Sequence, residues 1–226
     1  METRMNKKHY LTLALALAMA GTAHADPTPD WGDKISEKEF LEAAKRSFYL
    51  NDPKEFDRLR DETLEVCNAT KNRPSAEQTK AILEREQKTI VYPKDGKLYG
   101  DWKKGKIVVE DAHGGRIGYP GFADADNPKH PNGANCYACH AIDPNFPQAG
   151  NMGPPLTNYG KLRPKTDAMV KYTYDKVYNS KATNPCSLMP RYGGPKHLIT
   201  PEQVADVVAF LLDPDSPVNN PPVTTK

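Results

Sequence analysis

The run Cys136-Tyr137-Ala138-Cys139-His140 is where residue types and spacing in this chain could do chemistry. Two thiols separated by two residues can each add to one vinyl group of the same porphyrin. The histidine that follows is then carried under the iron as an axial ligand. The pattern implies one covalently bound haem c, held by Cys136 and Cys139, with His140 on the metal. A zinc site built on Cys-x-x-Cys needs a second set of ligands. The other cysteines, Cys67 and Cys186, stand singly and far apart. A thioredoxin-like pair sits where a strand enters a helix, whereas Asp126 to Gly133, just before the motif, reads as loop.

A haem of this kind takes a second axial ligand. Met152, Met169, Met189, His113, His130 and His197 are the candidates. Met152 follows His140 by only 12 residues, a short excursion for a loop that must reach the opposite face. Met169 falls at the edge of the apolar face of a helix and reads as core. Met189 lies in Asn184-Pro185-Cys186-Ser187-Leu188-Met189-Pro190-Arg191-Tyr192-Gly193-Gly194, a loop stiffened by two prolines, which lowers the entropy cost of presenting a thioether. Met189 is the expected ligand and His197, in the same loop, is the runner-up. A His/Met pair raises the haem potential. Gly153-Pro154-Pro155-Leu156 offers a carbonyl, at Pro154, to accept the second ring N–H of His140.

The elements that must position these groups read as mainly helical. Ser36-x-x-Glu39 is a capping box, with Ile35 and Phe40 set for a hydrophobic staple. Asp52-Pro53 reads as an N-cap followed by proline at the first helical position, leading a helix through Phe56, Leu59, Thr63, Val66 and Cys67. Ser75-x-x-Gln78 opens a third helix towards Ile90. Trp102 to Glu110 reads as a short helix, and Thr166 to Asn179 as another with Val170, Tyr174, Val177 and Tyr178 on one face. Thr200-Pro201-Glu202-Gln203 caps a final helix whose Val204, Val207, Val208 and Leu211 form one stripe, and Pro214 stops it. The resulting organisation is a leader at 1–25, a helical extension at 26–95, the motif-bearing domain at 96–213 and a Pro-rich tail at 214–226.

The leader has a basic start (Arg4, Lys7, Lys8), an apolar core over Tyr10 to Ala20 that is too short to span a bilayer, and a small-x-small site at Ala23-His24-Ala25. It predicts export to the periplasm with cleavage after Ala25 and no membrane span in the mature chain. Removing the leader leaves 28 basic and 28 acidic side chains, a balance that argues against nucleic acid as a partner. The balance hides a basic excess at 141–200, with eight Lys and Arg against three Asp, and such a segment could steer an acidic partner. An oxidising compartment and an even count of spare cysteines predict a Cys67–Cys186 disulfide, tying the extension to the Met189 loop.

The order helix, Cys-x-x-Cys-His, loop with Met, and C-terminal helix resembles class I cytochrome c. Within that class the chain resembles SoxX, the monohaem subunit of the thiosulfate-oxidising SoxAX cytochromes. The resemblance runs over about 98–219, through Gly100 to Gly105, Asn135 to His140, Gly153 to Leu156, Asn184 to Gly193, and Thr200 to Asn219. It implies pairing with a SoxA-like subunit that carries the catalytic haem. It also implies oxidative coupling of thiosulfate to a cysteine of a SoxYZ-like carrier, the reaction of an L-cysteine S-thiosulfotransferase. This chain, with no catalytic residue of its own, would accept the electrons and pass them to a small soluble cytochrome. The alternative is a stand-alone electron shuttle. In a complex, Tyr137 and Tyr192 are expected among the apolar crevice residues that the partner covers.

Overall fold

The computed structural model describes residues 36–47, 60–113, 132–146, 148–193 and 198–220; the leader, Asp52-Pro53, His130 and His197 lie outside them. The only regular elements among these residues are helical, as the periodicity predicts. They are α1 (Glu37–Ser47), α2 (Glu62–Ala69), α3 (Ala76–Gln87), α4 (Trp102–Glu110), α5 (Tyr159–Leu162), α6 (Asp167–Tyr178) and α7 (Pro201–Leu212), with 3₁₀ turns at Cys136–Ala138 and Ser180–Ala182.

Capping chemistry sets the boundaries. Thr200 Oγ1 accepts from Gln203 N at 3.2 Å, and Gln203 Oε1 accepts from Thr200 N at 2.8 Å, closing the predicted box at the start of α7. The Ser75–Gln78 box opens α3 in the same way. Ser36 and Glu39 cap α1. The helix containing Cys67 begins at Glu62, because Asp61 is its N-cap and accepts from Leu64 N at 2.9 Å. A carboxylate at that position both satisfies an orphan amide and faces the positive end of the helix.

The described residues from 45 onward form one compact unit. Its centre is the crossing of α4 and α7, with α6 and α5 also packed on α7. The valine stripe of α7 is fully covered: Val204, Val207 and Val208 are at most 1% exposed, and Phe210 is wholly buried. Each such side chain contributes about 1.5–3 kcal/mol by leaving water. The close approach of the two helices depends on Gly105, where a Cβ would lie 2.0 Å from the Asp206 carbonyl oxygen. The segment after α7 folds back on it. Asn219 Oδ1 accepts from Gly160 N at 2.7 Å and its Nδ2 donates to Leu211 O at 2.9 Å, while Val218 is wholly buried.

Helices α2 and α3 lie in the same unit, with α3 against the Ser180–Ala182 turn. Cys67 in α2 is bonded to Cys186, with an S–S distance of 2.05 Å and a sequence separation of 119. Closing so long a loop restricts the unfolded chain, worth up to about 5 kcal/mol in the chain-entropy description. A Cys67→Ser/Cys186→Ser chain is therefore expected to lose several kcal/mol in urea unfolding. An unfolding midpoint equal to the parent's would show that the bridge adds no stability.

Candidate haem-binding site

The approach to the thiols is stitched to the end of α4. Ala134 N donates to Val108 O at 2.7 Å, Gly133 N to His113 O at 2.8 Å and Asn135 N to Asp111 O at 3.0 Å. Asn135 then takes a left-handed conformation (φ 46°), which Asn tolerates better than most residues, and the chain turns sharply into the motif. Cys139 N and His140 N both donate to Cys136 O, at 3.1 and 3.0 Å, so one 3₁₀ turn carries both thiols and delivers the imidazole. Cys136 and Cys139 are free thiols.

The chain after the motif returns along it. Gly150 N donates to Tyr137 O at 2.7 Å, Gly153 N to Cys139 O at 2.8 Å and Leu156 N to Ala141 O at 2.7 Å. This return places the Pro154 carbonyl 2.7 Å from His140 Nδ1. A carbonyl only accepts, so Nδ1 carries the ring proton and Nε2 keeps its lone pair for a metal. Gly153 lies flat on the ring, where a Cβ would sit 2.2 Å from His140 Cε1. Glycine at 153 is thus what lets the backbone hold the imidazole in place.

Met189 is half-buried and borders the same apolar cluster as Cys136. Its loop is fixed on both sides. Ser180 Oγ donates to the Met189 carbonyl at 2.6 Å and Lys181 Nζ reaches the same oxygen at 3.4 Å. Cys186 is bonded to Cys67, and Gly193 N donates to Tyr178 O at 2.8 Å. The other candidates are placed differently. Met152 is 81% exposed, His113 is exposed and Met169 packs on the core as expected.

Arg191, two residues beyond Met189, is the part that sequence reasoning missed. Its Nη1 meets Asp61 Oδ2 at 2.6 Å, its Nη2 meets Glu86 Oε1 at 2.6 Å and its Nε donates to Glu86 Oε2 at 3.0 Å. Glu86 also accepts from Asn179 Nδ2 at 2.7 Å and from Thr63 Oγ1. Burial alone would raise the Glu86 pKa, but the hydrogen bonds from Arg191, Asn179 and Thr63 outweigh it and hold the carboxyl below its ordinary range. The available signal was Glu86 itself: it follows Ile82 by one helical turn, a carboxylate on an apolar face.

One expectation is corrected. Tyr137 and Tyr192 are already buried within the chain, so neither is left for a partner to cover. Tyr137 stacks on Phe146 at 3.9 Å between centroids, and Tyr192 donates to Ala134 O at 2.9 Å. Within the basic excess at 141–200 several side chains also have partners in the chain. Arg191 and Lys171 are in ion pairs, Lys181 is buried, Arg163 lies over the Tyr159 ring and Lys165 over that of Tyr99.

The residues present suit a covalently attached porphyrin. Among the described residues no group of three or more His, Cys, Asp or Glu is arranged to hold a bare metal ion, so the four ligands of a closed zinc site are not assembled. Burial, reinforced by the neighbouring Cys139 thiol, pushes Cys136 up to about 12, the reverse of the lowered value of a thiol-exchange centre. Asn132 Nδ2, four residues before the first thiol, is a buried donor with no partner among the described residues.

Comparison with known proteins agrees at the level of the domain. Residues 129–213 match the family model described as cytochrome c. An uncharacterized lipoprotein of Aquifex aeolicus (strain VF5) is 35% identical over 164 residues, covering 70% of this chain and 72% of that protein. The crystal structure of SoxXA from P. pantotrophus aligns with 51% of this chain and 82% of that one, at 21% identity and a TM-score of 0.35. Among the described residues no helix is long and apolar enough to cross a membrane.

Proposed function

This chain belongs to one family with the A. aeolicus lipoprotein and is a cytochrome c-like electron-transfer protein, and from that premise we propose that it works in the periplasm as the monohaem subunit of a SoxAX-like complex. Cys136 and Cys139 would hold the haem, and His140 and Met189 would ligate its iron. The observation that carries this reading is the 2.7 Å contact between His140 Nδ1 and Pro154 O, on the same turn as two free thiols. The haem supplies one-electron redox chemistry.

Everything else in the mechanism belongs to the protein. Pro154 O accepts the Nδ1 hydrogen bond and so leaves Nε2 as the lone-pair donor. Gly153 leaves room for the ring beside the backbone. Ser180 and Lys181 hold the backbone of Met189 through its carbonyl oxygen.

The SoxAX assignment is supported by the sequence from Asn184 to Gly193 joined to the final helix, and periplasmic location by the leader at 1–25. In that role the chain accepts electrons as thiosulfate is joined to a carrier cysteine, with the catalytic haem on the SoxA-like partner, and releases them to a small soluble cytochrome. Met189→Ala is expected to abolish the weak long-wavelength sulfur-to-iron band of the ferric protein and to lower its potential. An unchanged spectrum would sink the assignment of Met189. Co-purification of a SoxA-like cytochrome with the tagged chain tests the complex; a chain recovered alone and still able to exchange electrons would be a free shuttle.

A further inference from the structure

We propose that the helical pair α2–α3 is a splint for the Met189 loop, and that Arg191, Glu86, Asp61 and the Cys67–Cys186 bridge are positioning residues that keep the Met189 thioether on the haem iron. This rests on the reading of Met189 as an axial ligand. Helices α2 and α3 precede the haem motif and contribute no ligand to it, yet they bind the ligand loop on both sides of Met189. Three residues before Met189, Cys186 is bonded to Cys67 in α2. Two residues after it, Arg191 reaches the N-cap of α2 at Asp61 and the last turn of α3 at Glu86. Asn179, at the end of α6, donates to the same Glu86, so the opposite margin of the loop meets the splint at one carboxylate.

The chemistry of the anchors suits positioning more than adhesion. Arg191 uses three nitrogens on two carboxylates, and a planar fork so engaged fixes direction as well as distance. The Glu86 side chain is 6% exposed and that of Arg191 19%, so the pair is shielded from screening. Between the anchors the loop is held through backbone oxygens, by Ser180 Oγ and Lys181 Nζ on Met189 O and by Lys181 Nζ on Ser187 O, while Leu188, beside Met189, is 90% exposed. Those bonds fix the Met189 backbone at one oxygen, and the anchors on either side fix the direction in which the chain passes it.

An external ligand reaches the iron only while Met189 is off it, so its apparent affinity follows that fraction. Imidazole is the probe, titrated into the ferric holoproteins alongside the sulfur-to-iron band. Arg191→Lys keeps a positive charge but cannot span both carboxylates. It is expected to keep its haem and helix content, weaken the band and bind imidazole about tenfold more tightly than the parent. Cys67→Ser/Cys186→Ser, which leaves no buried charge unpaired, is expected to shift the same way and decides alone if Arg191→Lys does not fold. If both folded variants keep the parent's band and imidazole affinity while Met189→Ala loses the band, the helices only add stability and the proposal is overturned. If Met189→Ala matches the parent, the ligand reading fails, and the splint falls with it by a separate signature.

Discussion

A chain carrying Cys136→Ala and Cys139→Ala is expected to yield no covalently bound haem, while the parent keeps one haem per chain through acidified solvent. The loss should be complete because no thiol can substitute. Cys67 and Cys186, the only other cysteines, are consumed in a disulfide. Each single variant should keep one thioether bond and remain haem-stained on a denaturing gel. Folding should be affected much less than haem content, because Cys136 is only half-buried at the margin of the core. Covalent haem persisting in the double variant would show that these thiols are not its attachment.

Arg191→Met should cost about 3–5 kcal/mol, the usual result of removing one partner from a buried ion pair. Most of the loss should come from Glu86, because Asp61 is a third exposed and can rehydrate. The effect carries a pH signature. Glu86 has a folded-state pKa below its unfolded value of about 4.3. Its contribution is therefore present above that value and is lost as the pH falls through the lowered folded one. Without the guanidinium, burial raises the same carboxyl, which must then be neutralised or left costly. The stability gap between parent and Arg191→Met should accordingly be widest near neutrality and narrow below about pH 4. Urea midpoints measured across that range give the test, and a gap independent of pH would mean that Glu86 is not the group left unpaired.

Much of the helical frame was legible in the sequence because its signals are local. The Thr200–Gln203 and Ser75–Gln78 boxes close as written, and α4 spans Trp102–Glu110 as expected. The stripe of Val204, Val207, Val208 and Leu211 is the buried face of α7. The start of α2 was misjudged, because Asp52-Pro53 and Asp61 both have cap chemistry, and only the hydrogen bond from Leu64 N identifies Asp61 as a cap.

The sequence by itself determined the chemistry that depends on near neighbours. Cys136, Cys139 and His140 fall on one turn whatever the rest of the chain does, and Gly153-Pro154 follows closely enough to return to His140. Tertiary structure decided what depends on residues remote along the chain. Glu86 and Arg191 are separated by 105 positions, and nothing local pairs them. Tyr137 and Tyr192 read as crevice residues for a partner to cover and are core. A charge or a ring has no preferred depth of its own; it takes one from the partner that the fold brings to it. For Arg191 that partner is the Glu86 carboxylate, whose pairing offsets the cost of taking both charges out of water.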